Sequence, residues 1–155
     1  MTTMTKNEIY PMVKWEMSRY WQLDGWKVDL RWYSRLLGLC SFRDRRISLS
    51  VNLVSTNSKE IVRQVLLHEI AHALTHAGHN KKFWAKFKEL GEDKEMFKKN
   101  FLPFCNYEHW CGCGYHDYRF RTRRKKRICP ACALKGRRVE MCWSKIKLLE
   151  PDNVM

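Results

Sequence analysis

Two histidines one helical turn apart, in the middle of the chain, constrain the fold more than any other feature. The run from Leu67 to Leu74 has the sequence LHEIAHAL, an HExxH pattern in an apolar setting. Residues four apart lie on the same face of a helix, so His68 and His72 can bind one zinc ion. Glu69, beside them, can polarise a water bound to the metal. The pattern predicts the core of a zinc hydrolase, most often a peptidase.

The residues around this pattern predict a long, largely buried helix. Asn57 provides an N-cap, with the carboxylate of Glu60 three residues later. The apolar face that follows is broad and comprises Ile61, Val62, Val65, Leu66, Ile70, Ala73 and Leu74. Histidines on a buried helix need polar partners, because an unpaired polar group is costly in an apolar interior. The alternative to a metal site is a pair of hydrogen-bonded core histidines, with Glu69 facing solvent.

A catalytic zinc needs a third protein ligand and an open position for water. His76 lies one further turn along the same face, but a straight helix would carry it past the metal. Gly78 can adopt the left-handed conformation that ends a helix, after which the chain can return His79 to the metal. The sequence therefore favours His79 over His76. A carboxylate from the next helix, Glu89 or Glu92, is the weaker alternative.

The seven cysteines contain a second set of candidate metal ligands. Four of them pair by spacing as Cys-x-Cys and Cys-x-x-Cys, which is the layout of a structural zinc ribbon with ligands Cys111, Cys113, Cys129 and Cys132. Possible substitutes are Cys105, His109 and His116, and the alternative is a set of unrelated thiols or disulfides. Cys40 and Cys142 lie in apolar, strand-like sequence, and we expect them in the core.

The net charge of +14 is concentrated on the ribbon segment. Between residues 98 and 138, twelve lysines and arginines accompany two acidic residues. Cations interleaved with aromatic rings suit single-stranded nucleic acid, because phosphates bind the cations and bases stack on the rings. The residues expected to bind nucleic acid are Arg119, Arg121, Arg123, Arg124, Lys125, Lys126, Arg127, Trp110 and Tyr118. The alternative is a solvated basic loop whose rings pack the small module.

Length and periodicity predict one compact domain with a small appended module. The elements expected are a helix at 6–21, strands at 26–32, 39–42 and 47–51, the HExxH helix, a helix at 81–90 capped by Asn80, and a last strand at 139–143. No apolar run approaches a membrane-spanning length, and the N-terminus lacks an apolar signal core. With an odd cysteine count and metal-type spacing, a reducing cytoplasm is the expected location.

Taken together, these segments resemble the SprT-like family of zinc metalloproteases, to which the eukaryotic protein Spartan belongs. The resemblance extends from about Trp26 to Cys132. It rests on GLCSF at 38–42 with ISLS at 47–50, LHEIAHAL at 67–74, Gly-His at 78–79 followed by Phe-Trp at 83–84, and the ribbon.

The resemblance implies an α+β fold, with a zincin-like metalloprotease domain at 1–100 and a basic zinc ribbon at 101–148. It implies His79 as the third ligand of a catalytic zinc, beside a structural zinc in the ribbon. A rim strand, at Ile47–Val51, would pair with an extended substrate. Cleavage of proteins bound or crosslinked to DNA is the implied activity. The implied partners are DNA, with single-stranded DNA favoured, and DNA-bound proteins. The implied protein is a monomer that is located at the nucleoid or, if it is viral, in the host-cell cytoplasm.

Two other classes of function stay open at this point. The first is a nucleic-acid-binding adaptor or transcription-type factor whose HExxH zinc is structural; the intact Glu69 counts against it, because a structural site does not need that carboxylate. The second is a zinc hydrolase that acts on a bond other than a peptide.

Overall fold

A computed structural model describes residues 4–97, 105–119, 121 and 126–155 of the 155-residue chain, apart from the side chain of Met96. It is a mixed α+β structure with two sheets. The chain divides into two compact units, one formed by Met1–Phe101 with Leu148–Met155 and the other by Leu102–Lys147. The sequence placed the end of the ribbon at residue 148, whereas the chain from Leu148 onward belongs to the first unit.

The helices and strands follow one another along the chain in the order α1 (Lys6–Ser18), a 3-10 turn (Trp21–Leu23), β1 (Lys27–Arg31), β2 (Gly38–Ser41), β3 (Arg46–Ser50), α2 (Val51–Thr56), α3 (Lys59–Thr75), α4 (Lys81–Glu89), α5 (Lys94–Phe97), β4 (Tyr107–Trp110), β5 (His116–Arg119), α6 (Pro130–Ala133), β6 (Cys142–Lys145) and β7 (Asp152–Asn153). Among the described helices, none is both long and apolar enough to cross a membrane.

The sheet of the first unit has the strand order β2-β3-β1-β7. β1 runs parallel to β3, with Val28 opposite Ile47, and β2 and β7 are antiparallel to their neighbours. The predicted hairpin of β2 and β3 is confirmed. The prediction that Ile47–Val51 forms the rim strand is wrong, because β3 is paired on both sides. The edge strands of this sheet are β2 and β7, and β2 is the hairpin strand that lies at an edge.

The helix α1 packs one apolar face on the core, through Ile9, Met12, Val13 and Met17. Its first turn is fixed by Glu8, whose carboxylate accepts a hydrogen bond from the Thr5 backbone N–H at 2.8 Å. The helix ends at Ser18, three residues before the predicted end.

A short buried helix, α2, was not predicted from the sequence. It follows β3 directly, and its six residues are all buried. The hydroxyls of Ser55 and Thr56 donate to the carbonyl oxygens of Val51 and Asn52, each at 2.7 Å, and so find partners inside the helix itself. A helix buried on every side shows no apolar stripe, so periodicity does not reveal it. Asn57 is the C-cap of α2, and α3 therefore begins after Ser58 rather than after Asn57.

The sheet of the second unit has the strand order β5-β4-β6, and Trp110 on β4 lies opposite His116 on β5 and Cys142 on β6. The last strand of the ribbon, β6, begins at Cys142 rather than at the predicted residue 139. The expectation that Cys142 lies in a core is wrong, because β6 is exposed along its whole length. Cys40 is half-buried and packs against the core of the first unit.

The end of the chain returns to the first unit and is held there by an ion pair. Asp152 accepts a hydrogen bond from Lys6 Nζ at 2.8 Å and another from the Tyr10 hydroxyl, both on α1. These two bonds lower the pKa of Asp152 to about 2, and the bond from Lys6 has the larger effect. Next to them, the backbone of Val154 and Met155 bonds to Val28 on β1.

We expect Asp152→Asn to lower the thermal midpoint of unfolding at pH 6. A carboxylate with a depressed folded-state pKa stabilises the fold above its ordinary pKa of 3.8, and this stabilisation is lost as the pH falls through about 2. The difference between wild type and variant should therefore shrink between pH 4 and pH 2. Asp24→Asn, which removes the same charge from an exposed turn of the same unit, is the control. A difference that does not depend on pH would contradict the role of the ion pair.

Candidate metal centres

Three histidine nitrogens meet at the C-terminal end of α3. The Nε2 atom of His79 lies 2.8 Å from Nε2 of His68 and 3.2 Å from Nε2 of His72. One ligand atom from each residue lies within 4.8 Å of the others. We call this group the histidine centre. Three imidazole nitrogens that face one another at these distances form a donor set for one metal ion.

The chain reaches this arrangement by reversing direction directly after α3. His76 ends the helix in the left-handed conformation, with φ at 49°, and its N–H donates to the His72 carbonyl oxygen at 2.9 Å. The prediction that Gly78 supplies the left-handed residue is wrong, since Gly78 is not among the residues with positive φ. The reversal turns the His76 ring away from the histidine centre and onto Phe42, with the ring centroids 4.9 Å apart.

Hydrogen bonds around the histidine centre orient two of its members. Nδ1 of His72 lies 2.7 Å from the carbonyl oxygen of Ala77. Because a carbonyl can only accept, Nδ1 carries the proton and Nε2 presents its lone pair to the centre. The indole N–H of Trp84 donates to the carbonyl oxygen of His79 at 3.2 Å. Asn80 caps α4 as predicted, by accepting a hydrogen bond from the Phe83 N–H at 3.0 Å.

His68 is the most buried member of the histidine centre, at 8 % exposure. Burial is the main reason that the pKa of His68 is lowered to about 3, and the nearby His72 and His79 add to the effect. The ring is therefore neutral, which is the form that binds metals. Within the described residues, its Nδ1 atom is buried without a hydrogen-bond partner. The alternative of a core histidine pair with Glu69 facing solvent does not fit, because Glu69 is buried and a third histidine, His79, reaches the same point.

Aromatic side chains hold the three imidazole rings in place. The ring of His68 stacks on Phe97 with centroids 4.4 Å apart, and the ring of His72 stacks on Phe83 at 4.3 Å. The ring of His79 stacks on Trp84 at 5.7 Å. This packing fixes the rotamers of the ligand side chains and lowers the local dielectric, which strengthens electrostatic interactions at the centre.

Glu69 projects from α3 beside the histidine centre and is only 6 % exposed. Burial raises its pKa to about 8. A cation held by the three histidines would act in the opposite direction, because a nearby positive charge favours the carboxylate. A cleft of about 530 Å³ opens in front of these residues, and its lining also includes Arg35, Leu36, Leu39 and Phe42.

The alternative carboxylate ligands lie elsewhere. Glu89 is exposed and pairs with Lys86 on the same helix. Glu92 lies 3.4 Å from the guanidinium of Arg63. Neither belongs to the histidine centre.

The four predicted ribbon cysteines also meet. Sγ of Cys111 lies 3.7 Å from Sγ of Cys132, Sγ of Cys113 lies 3.6 Å from Sγ of Cys129, and one atom from each lies within 4.8 Å of the others. We call this group the cysteine centre. These distances far exceed the length of about 2.05 Å of a disulfide, and none of the seven cysteines, all in the described part of the chain, is disulfide-bonded.

The turns that carry these cysteines suit thiolate ligands. Gly114, with φ at 90°, closes the first turn by donating its N–H to the Cys111 carbonyl oxygen at 2.9 Å. The backbone N–H of Tyr115 lowers the pKa of Cys113 to about 7, which favours the thiolate that binds metals. Burial raises the pKa of Cys132 to about 12, so a metal ion would have to displace the proton of that thiol. Of the predicted substitutes, His116 lies 3.1 Å from Glu108, and Cys105 and His109 are buried outside the cysteine centre.

The residues expected to bind nucleic acid are in part paired with acids. Arg119 donates to Asp117 at 3.0 Å, Arg127 pairs with the same carboxylate, and Lys126 lies 3.4 Å from Glu140. Arg121 is an exposed residue, whereas the predicted contacts Arg123, Arg124 and Lys125 fall outside the described residues.

The aromatic candidates are less accessible than expected. Trp110 and Tyr118 are both half-buried, and the Tyr118 hydroxyl lies 3.5 Å from Glu108. The exposed ring on this sheet is Trp143, at 55 %, which contacts Tyr107 edge to face. The sequence prediction missed Trp143 because it treated β6 only as a structural strand.

A comparison with protein-family models matches residues 9–101 to the SprT-like family. This match covers more than half of the chain. The chain belongs to the SprT-like family. The matched region of this SprT-like chain holds β2, α3 and the complete histidine centre, whereas the cysteine centre lies beyond it. A comparison with curated proteins finds no match.

We expect His79→Ala to lose the metal ion of the histidine centre and His76→Ala to keep it. Only His79 reaches the other two ligand nitrogens, because the chain reverses at His76. Elemental analysis of the purified variants, with His116→Ala as a control on the second unit, measures the difference from wild type. Loss of metal in His76→Ala with retention in His79→Ala would show that α3 continues as a straight helix in solution.

Proposed function

We propose that the chain is a zinc-dependent metalloendopeptidase with a zincin-like fold, and that it cleaves proteins bound or crosslinked to DNA. The observation that carries the proposal is the meeting of three Nε2 atoms next to a buried glutamate, at the wall of an open cleft. Membership of the SprT-like family supports metallopeptidase activity.

Zinc is the metal that best suits both centres. Nitrogen donors on a tetrahedral zinc lie roughly 3.3 Å apart, given bonds of about 2.0–2.1 Å, and two pairs in the histidine centre are separated by 2.8 and 3.2 Å. Three protein donors leave a position open, as catalytic sites require. Four thiolates close the cysteine centre, as structural sites require. We therefore propose one catalytic and one structural zinc.

The side chains of the first unit divide the chemistry among them. Zinc, when bound, supplies the Lewis acidity that activates a water and polarises a peptide carbonyl. His68, His72 and His79 hold it as neutral imidazoles through Nε2. Glu69 accepts a proton from the attacking water and passes it to the leaving nitrogen of the peptide. The rings around the histidine centre, Phe97 among them, keep bulk water away from this proton transfer.

The substrate, in this proposal, binds as an extended strand to the edge strand β2. One side of β2 pairs with β3, and the part of the chain that the structure describes leaves the other side unpaired. Main-chain hydrogen bonds to an edge strand require little of the substrate sequence, which suits an enzyme that must act on many different proteins. β2 takes the role that the sequence suggested for β3.

Nucleic acid, in this proposal, binds the second unit. The excess of basic residues between 98 and 138 is the main support. The exposed Trp143, next to Tyr107, offers a ring on which a base can stack. Recruitment of DNA together with its bound proteins would confine a protease of low sequence preference to the proteins that it should degrade.

We expect Glu69→Gln to abolish cleavage of a DNA-bound protein while the variant keeps its fold and its zinc. Glu69 transfers protons and does not bind the metal, so the rate should fall by about 100-fold or more. The assay compares three substrates, protein alone, nucleic acid alone and the two together, with wild type and variant loaded with equal zinc. Undiminished cleavage by the variant would remove Glu69 from the mechanism.

The same assay distinguishes the two other classes of function. Cleavage of nucleic acid alone, lost in Glu69→Gln, would identify a hydrolase of a non-peptide bond. Nucleic-acid binding without cleavage of any substrate would identify an adaptor with a structural zinc. Equal proteolysis with and without DNA would leave a zinc protease whose substrates are not limited to DNA-bound proteins.

We expect Trp143→Ala to weaken binding of single-stranded DNA by roughly 1–3 kcal/mol, the usual contribution of one stacked base. Trp32→Ala is the matched control, because Trp32 on the first unit is exposed to almost the same extent, 54 % against 55 %. Titrations at several salt concentrations should also show affinity that falls steeply with salt. An equal loss in both variants, or binding insensitive to salt, would contradict the assignment.

A further inference from the structure

We propose that Gly38 is a positioning residue for Glu69. The absence of a side chain at this point of β2 gives the Glu69 carboxylate the space that it occupies beside the histidine centre. The effect of Gly38 on catalysis rests on the proposed function, whereas the contact between Gly38 and Glu69 does not depend on that function.

The space in question is too small for even one methyl group. A Cβ atom added to Gly38 would lie 2.9 Å from both Cγ and Oε1 of Glu69, and 3.1 Å from its Cδ. Favourable contacts between carbon atoms begin at about 3.5 Å. Backbone conformation does not explain the glycine, since Gly38 is not among the residues with positive φ. The Glu69 side chain is therefore what excludes a larger residue.

Neither backbone can move away easily to relieve such a contact. Gly38 lies opposite Leu49 in the sheet, and next to it the Ser50 N–H donates to the Leu37 carbonyl oxygen at 2.8 Å. Glu69 stands on a turn of α3 that is fixed by the fully buried Ile70. A side chain at position 38 would instead push the carboxylate out of its place.

A side chain added at position 38 should not displace the other residues of the site. The three atoms closest to an added Cβ all belong to Glu69, and none belongs to a histidine. The metal should therefore stay bound while the proton-transfer group is displaced. An error of about 1 Å in the position of a catalytic group can lower a rate by roughly 100-fold.

The test is a double-mutant cycle on the full-length chain, with stability and activity as separate readouts. Gly38→Ala should lower the thermal midpoint in the wild-type background and lower it much less in the Glu69→Ala background, where the contact is gone. Gly38→Ala should also reduce kcat by about 10- to 100-fold, with KM and zinc content unchanged, and should cause no further loss in the Glu69→Gln background.

Gly78→Ala is the matched control, because an added Cβ there meets no atom within 4 Å and the residue is not left-handed. An equal fall in the thermal midpoint for Gly78→Ala would overturn the proposal. Equal destabilisation by Gly38→Ala with and without Glu69, or failure of the Gly38→Ala, Glu69→Ala double variant to fold, would also overturn it. The stability measurements test the contact between Gly38 and Glu69 even if the wild-type protein cleaves no substrate. A failure of this inference can therefore be distinguished from a failure of the proposed function.

Discussion

The histidine centre depends on one requirement, that a histidine beyond the end of α3 returns to the two histidines on that helix. Helix spacing alone aligns His68 with His72, but no third ligand on a straight helix can reach the same point. The left-handed conformation of His76 reverses the chain three residues before His79 and so allows His79 to return. Its φ of 49° costs free energy in a residue other than glycine. The bond from its own N–H to His72 and the stacking of its ring on Phe42 offset part of that cost.

Much of the site could be predicted because its geometry is local. The spacing of the HExxH histidines, the Asn80 cap of α4 and the paired cysteine turns are set by residues a few positions apart, and each follows from helix or turn geometry. The identity of the left-handed residue could not be predicted in this way. Gly78 is the better residue for a positive φ on intrinsic grounds, but the contacts of His76 with Phe42, distant in sequence, favour the earlier position.

Non-local pairing explains the other errors. The parallel pairing of β1 with β3 places β3 inside the sheet, and no pattern within either strand specifies which of two hairpin strands will find a further neighbour. The buried α2 and the exposed Cys142 show the same limit, since burial on all sides or on none removes the periodicity that reveals a face. Formal charge also overstates the free charge of the second unit, because Asp117 alone accepts from both Arg119 and Arg127.

In the proposed function, the edge strand β2 would link the substrate to the chemistry, and neither motif reveals this by itself. HExxH places Glu69 next to the histidine centre, yet the other side of its carboxylate is bounded by Gly38, the first residue of β2. A substrate strand paired to the open edge of β2 would therefore be held against the same strand that sets the position of the base. If the proposed function holds, a displacement of the whole β2 backbone would alter proton transfer and substrate alignment together, whereas a side chain at position 38 would displace the base alone, and a change in the second unit would alter only which proteins are brought to the cleft.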